Sequence, residues 1–135
     1  MAKRTDVRPA KVYVYFLPVA MRVPLKFGPE TVTAVTCARI RMQVRDLAGN
    51  PADGWGETPL SVQWVWPGAL SYEERHAAMK NFTLNLASAW QEFDYSGHPL
   101  EIGHAFQDQV LARLLAEFNV QRKNAEPMPW LAYNL

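Results

Sequence analysis

The side chains of this chain best suited to meet a ligand fall in two segments. Lys26 stands beside Phe27 and Gly28, where it can present a cation to an anionic group with Phe27 lining the apolar side. The plainer alternative makes Lys26 a solvated lysine and puts Phe27 in the core. Val62, Trp64 and Trp66 lie two apart, so in extended backbone they share a face. Each indole can bury roughly 150–250 Å². The two rings either cover the apolar face of a sheet or offer a contact surface, where aromatic side chains often supply binding energy. One ring can do each.

Groups that could do covalent or acid–base chemistry do not assemble in the sequence. His98 and His104 are six apart, with Glu101 between them. Ligands to zinc on a helix are usually three or four apart on one face, so these two point to opposite faces. They read as helix-end or surface histidines, and His98 before Pro99 can help close a turn. Cys37 has no neighbouring histidine or cysteine, and a nucleophile needs a base to activate it. Ser61 follows Glu57 by four residues, but the G-x-S-x-G elbow is absent. No G-x-G-x-x-G or P-loop occurs. Gly54-Trp55-Gly56-Glu57 has too few glycines for a phosphate cradle, and Glu57 reads as a capped or salt-bridged carboxylate. No catalytic or metal-ligating set is therefore expected.

Composition narrows the classes further. The 135 residues suit one domain, 49% hydrophobic and 12% aromatic. Fourteen basic against thirteen acidic residues give a net charge of +1, which argues against a nucleic-acid surface. A lone cysteine forbids an intrachain disulfide and suits a reducing, cytoplasmic setting. No apolar run approaches the roughly 20 residues of a membrane span.

The elements that must position these side chains are a sheet and then helices. Residues 1–10 read as a basic arm. A sheet of three strands is expected over residues 11–57. Its first strand is KVYVYFLPV at 11–19, rich in β-branched and aromatic residues. Pro24, Gly28 and Pro29 mark a loop. From Ala34 to Arg45 the chain alternates, with Ala38, Ile40 and Met42 on one face and Arg39, Arg41 and Gln43 on the other. Gly49-Asn50 signals a turn, and 52–57 returns as a short third strand. An aromatic loop covers 58–70. Ser71 and Glu74 form a capping-box pattern that opens a helix over 72–93. Its apolar stripe is Met79, Phe82, Leu86, Ala89, Trp90 and Phe93. A second helix is expected from about 100 to 119, so 71–119 holds two helices. Residues 120–135 form either a tail tucked down by Trp130 or the opening of a third helix at Pro129. The class is α+β: a three-stranded antiparallel sheet followed by a helical hairpin or bundle.

Three stretches together carry a family resemblance. They are Arg22-Val23-Pro24-Leu25-Lys26-Phe27-Gly28, the strand Thr36 to Arg45, and Gly54-Trp55-Gly56-Glu57, continued by the helices and by Met128-Pro129-Trp130-Leu131-Ala132. In this order and spacing the chain resembles the N-terminal capping domain of the enolase superfamily, of the mandelate racemase and muconate lactonising type. The resemblance implies a partner (β/α) barrel, absent from this chain. The barrel would abstract a proton next to the carboxylate of a small substrate, with magnesium as cofactor. It implies that loops Val23 to Thr31 and Thr58 to Pro67 close over the barrel mouth. Lys26, Phe27, Trp64 and Trp66 are then the candidate substrate-facing residues. A surface built to meet a barrel should also drive homo-oligomers when the domain is alone. The alternative is an independent α+β module that binds a partner or ligand through its aromatic loop.

Overall fold

In a computed structural model that describes residues 2–123 and 125–133, with Phe27 in its backbone alone, the chain is α+β and has no barrel. Strands β1 (Val7–Phe27), β2 (Glu30–Asp46) and β3 (Pro51–Pro59) form an antiparallel sheet in the order β1-β2-β3. The expected alternation holds in β2. Ala38 is buried on the inner face, while Arg39 and Arg41 on the outer face pair with Glu57 and Asp53 of β3. Arg41 also lies over the Tyr13 ring, 4.3 Å from its centre.

Two segments expected to be irregular are strand instead. Val7–Ala10, placed in the basic arm, pair with the end of β2: Val7 opposes Asp46 and Pro9 opposes Val44. The start of β1 is fixed from its other side as well, because Val7 and Gly97 exchange both backbone hydrogen bonds. The loop expected around Pro24 is a continuation of the β1–β2 hairpin. Leu25 pairs with Val32 and Phe27 with Glu30, around a tight turn at Gly28 whose φ is 56°. Glycine adopts that left-handed conformation without a Cβ penalty. Pro24 is tolerated because the ladder skips it: Ala20 pairs with Ala34, and pairing resumes only at Leu25. A proline has no N–H to give, so it sits in such a bulge at no cost to the ladder.

The second hairpin is closed by Asp46, whose carboxylate accepts from Asn50 N at 2.8 Å and Asn50 Nδ2 at 2.9 Å. Those bonds favour the charged form and hold the Asp46 carboxyl below the usual range.

Helix α1 (Val62–Val65) falls inside the aromatic loop. Helix α2 (Tyr72–Glu92) starts at the expected capping box, Ser71 with Glu74. Helix α3 (Pro99–Phe106) begins with Pro99 in its first turn. His98 Nδ1 accepts from Leu100 N, and Glu101 accepts from His98 N. It runs through a π-helical turn (Gln107–Leu111) into α4 (Ala112–Gln121), so the second expected helix is one rod with a widened turn. Among the described residues no helix is long and apolar enough to cross a membrane.

The core lies where Ala38 of β2, the α1 segment, α2 and α4 meet. Val62, Trp66, Met79, Phe82 and Met128 are its most buried side chains. The C-terminal segment is tied down by Met128 rather than Trp130. The Asn119 side chain accepts from Met128 N and donates to Met128 O, whereas Trp130 stays 38% exposed. Of the two endings the sequence left open, a tucked tail or an opening third helix, the described residues show a 3-10 turn at Trp130–Ala132. Asn134 and Leu135 lie outside the described residues.

His76 of α2 joins helix to sheet through Thr36 Oγ1 at 2.8 Å and stacks on Tyr72. Burial, and then the nearby Lys80 charge, push its imidazole below the ordinary value. The unfolded chain therefore binds the extra proton first as pH falls below about 6.5. Stability should be full above that pH and decline as it falls toward 5.5, above the carboxylate range. Urea midpoints at pH 7.5 and 5.5 check this: the difference should shrink in His76→Gln. An unchanged difference would place the effect elsewhere.

Candidate functional site

The meander places the C-terminal ends of β1 and β3 and the N-terminal end of β2 at one end of the sheet. Both candidate loops leave from that end. They do not lie side by side. Pairing with β3 stops at Cys37 opposite Pro59, while the β1–β2 hairpin continues to Phe27 opposite Glu30. At about 3.3 Å per residue, the extension beyond β3 reaches on the order of 20 Å. Lys26 is exposed near its tip, and Val23 (75%) and Leu25 (54%) are exposed along it. The Phe27 side chain lies outside what the structure describes. A two-stranded ribbon of this kind is marginal in water by itself.

The two tryptophans part company because α1 breaks the extended spacing that would have put them on one face. Trp66 is 1% exposed and Trp64 is 56% exposed. The assignment of Trp66 as a ligand-facing residue is therefore corrected: it is a core anchor. Its Nε1–H donates to Glu126 Oε1 at 3.3 Å, and its carbonyl accepts from the buried Arg75. Arg122 lies 4.9 Å over the indole. Glu126 Oε2 also takes the Ala69 N–H at 2.9 Å. The carboxylate comes so close to Gly68 that a Cβ there would collide with it.

Trp64 instead stands at the lip of a cleft of about 470 Å³ between sheet and helix. Ala38, Ile40 and Met42 of β2 form its floor, and Met79, Thr83, Leu86, Ala87 and Trp90 of α2 form one wall. The cleft exists because the β3 residues paired with that floor are small: Thr58 opposes Ala38, Gly56 opposes Ile40 and Gly54 opposes Met42. Nothing lies within 4 Å of where a Cβ on Gly54 or Gly56 would be. Tyr133 closes one end. Its hydroxyl bonds to Thr83 Oγ1 at 2.9 Å and donates to the Met79 carbonyl. Burial pushes that phenol well above its ordinary pKa.

The outer face of the sheet carries ionised, mutually satisfied groups. Glu57 accepts from Arg39 at 2.5 Å, and that bond holds its carboxyl below the usual range. Cys37 is raised, first by burial and then by the bond to Glu57, so its thiol stays protonated near neutral pH. A paired carboxylate and a protonated thiol are poor candidates for base and nucleophile. No group of three or more His, Cys, Asp and Glu residues that could hold a metal occurs among the described residues.

Of the four sequence candidates, Lys26 and Trp64 are exposed at the same sheet end but on separate features, and Trp66 is internal. The cleft residues Met42, Thr83, Trp90 and Tyr133 were not singled out from the sequence as a site, because they come from distant segments. The signal that could have found them is the run of small residues at alternate β3 positions, Ala52, Gly54 and Gly56, with nothing to fill the sheet's inner face. In comparison with known proteins, no family model, curated protein or solved structure matches this chain.

Truncation separates the roles of the two indoles. Trp66→Ala should cost about 3–5 kcal/mol by emptying a packed site and stranding Glu126. Trp64→Ala should stay within about 1 kcal/mol. Chemical denaturation of both variants measures this; equal losses would mean that Trp64 is also structural.

Proposed function

We propose that this chain is a capping domain that closes over a partner (β/α) barrel, in the manner of the mandelate racemase and muconate lactonising enzymes of the enolase superfamily. The observation that carries this reading is the shape of one sheet end. The β1–β2 ribbon projects well past β3, and the 58–67 segment leaves from the same end at a shorter reach. A partner seated between them would cover the exposed Val23 and Leu25 and meet Lys26 and Trp64. In this reading the substrate is a small carboxylic acid, Lys26 faces its charge, and proton abstraction takes place on barrel residues. Magnesium would be held by the barrel. A reducing, cytoplasmic setting suits Cys37.

A second reading, a free-standing binding module, draws on the cleft under Trp64.

The two readings differ in the gene sequence beyond Leu135. The capping reading expects strand–helix repeats there, about 250 residues for a barrel; a stop codon would overturn it. It also expects this chain alone, with magnesium, to leave the α-protons of carboxylic acids unexchanged in deuterated water. Exchange followed by NMR would sink the proposal. Light scattering of the isolated chain should give a mass above the 15.3 kDa monomer as ribbons cover one another, reverting in Val23→Asp/Leu25→Asp. A clean monomer at high concentration would count against a surface built for a partner.

A further inference from the structure

We infer that the cleft between the sheet and α2 is a binding site for a neutral, flat, largely apolar ring compound that carries one hydroxyl or carbonyl. This rests on the cleft alone and holds whether or not a barrel accompanies the domain.

Size is the first argument. At about 470 Å³ the cleft falls within the range of small-molecule sites, and it is far larger than a structural water needs. Its lining is mostly apolar, so few of its waters would find the two to four polar partners that hold one in place. The space is built into the sequence, since Gly54 and Gly56 leave the floor residues Met42 and Ile40 without large neighbours on β3.

Charge is the second. None of the side chains that line the cleft is ionisable except Tyr133, whose phenol is neutral and already committed to Thr83 and the Met79 carbonyl. An ionic ligand would lose its hydration here and gain no counter-charge. The cleft therefore selects neutral molecules.

Surface chemistry is the third. Two indoles, Trp64 of α1 and Trp90 of α2, and two thioethers, Met42 and Met79, face the cavity. Indoles pack offset or edge-on against rings, and thioether sulfurs pack well on ring edges. That favours a flat aromatic or fused-ring body over a flexible chain. Near Trp64 the lining turns polar, with the hydroxyls of Thr58 and Ser61. They can pair with one hydroxyl or carbonyl and so fix which edge of the ring faces out.

The test uses the unaltered chain, 2-naphthol as the neutral probe and 2-naphthoate as its anionic counterpart, followed by amide NMR shifts. Saturable shifts at Met42, Thr58, Trp64 and Ala87 are expected with 2-naphthol. The naphthoate should bind at least about tenfold more weakly, as an unpaired charge in an apolar site requires. Ala87→Phe puts a ring in the cavity and should weaken 2-naphthol by about tenfold or more. Ser61→Ala should weaken 2-naphthol but leave naphthalene unaffected. The inference is overturned if no saturable shifts reach the cleft amides, if naphthoate binds equally well, or if Ala87→Phe folds and binds undiminished. It is also overturned if the cleft amides shift on dilution without probe, because the occupant is then a second copy of the chain. Should Ala87→Phe fail to fold, the naphthol–naphthoate comparison on the unaltered chain decides alone.

Discussion

Trp66 sits where three parts of the chain meet, and each reaches it through a different kind of contact. The C-terminal segment arrives as the Glu126 carboxylate on the indole N–H. Helix α2 arrives as Arg75 on the Trp66 carbonyl, and the end of α4 arrives as Arg122 over the ring face. The indole itself is sealed in the core. A buried carbonyl and a buried indole N–H must both find partners, because leaving either dry and unpaired is costly. Those partners fix where the segment after β3 turns and how α2 lies against the sheet. The position of Trp64 outside the core is a by-product of the same turn.

Stability is spread unevenly as a result. In the body of the domain α2, 21 residues long, lies along the sheet and contributes Ala78, Met79 and Phe82 to the core. Beyond Thr36, whose carbonyl accepts from Leu60 N, the ribbon has no third strand among the described residues. Regions with few buried contacts open first and at low free-energy cost. The cleft lies away from that ribbon, walled in part by the buried Ala38 of β2 and Met79 of α2.

Much of the architecture was legible because it depends on local patterns. The alternation in β2, the Ser71–Glu74 box and the Gly49-Asn50 turn each act within a few residues, and each appears as expected. The failures share a physical cause, which is dependence on distant partners. Val7 is strand because Gly97 holds it, and Trp66 is core because Glu126 and Arg75 are there to satisfy it. Pro24 looked like a loop residue by its chemistry; the ladder accommodated it with a bulge instead. Of the candidate site, the exposure of Lys26 and Trp64 could be anticipated. The cleft left only one trace in the sequence, the small residues of β3, because its walls come from distant segments that no local pattern brings together.

The bulge before Leu25 also sets a parity. Ala20 pairs with Ala34, but Leu25 pairs with Val32, so five steps along β1 match two along β2. Odd and even positions of β1 therefore exchange faces at this point. Below the bulge the even residues Val12 and Phe16 share the helix side with Ala38; beyond it, Lys26 pairs with Thr31 and joins the opposite side. The chain uses one uneven count to turn its cation away from the helices. Because the Gly28 turn fixes Phe27 opposite Glu30 and β2 runs through without a break, an insertion or deletion between Met21 and Pro24 would be absorbed as a larger or smaller bulge, with the ribbon's two faces unchanged.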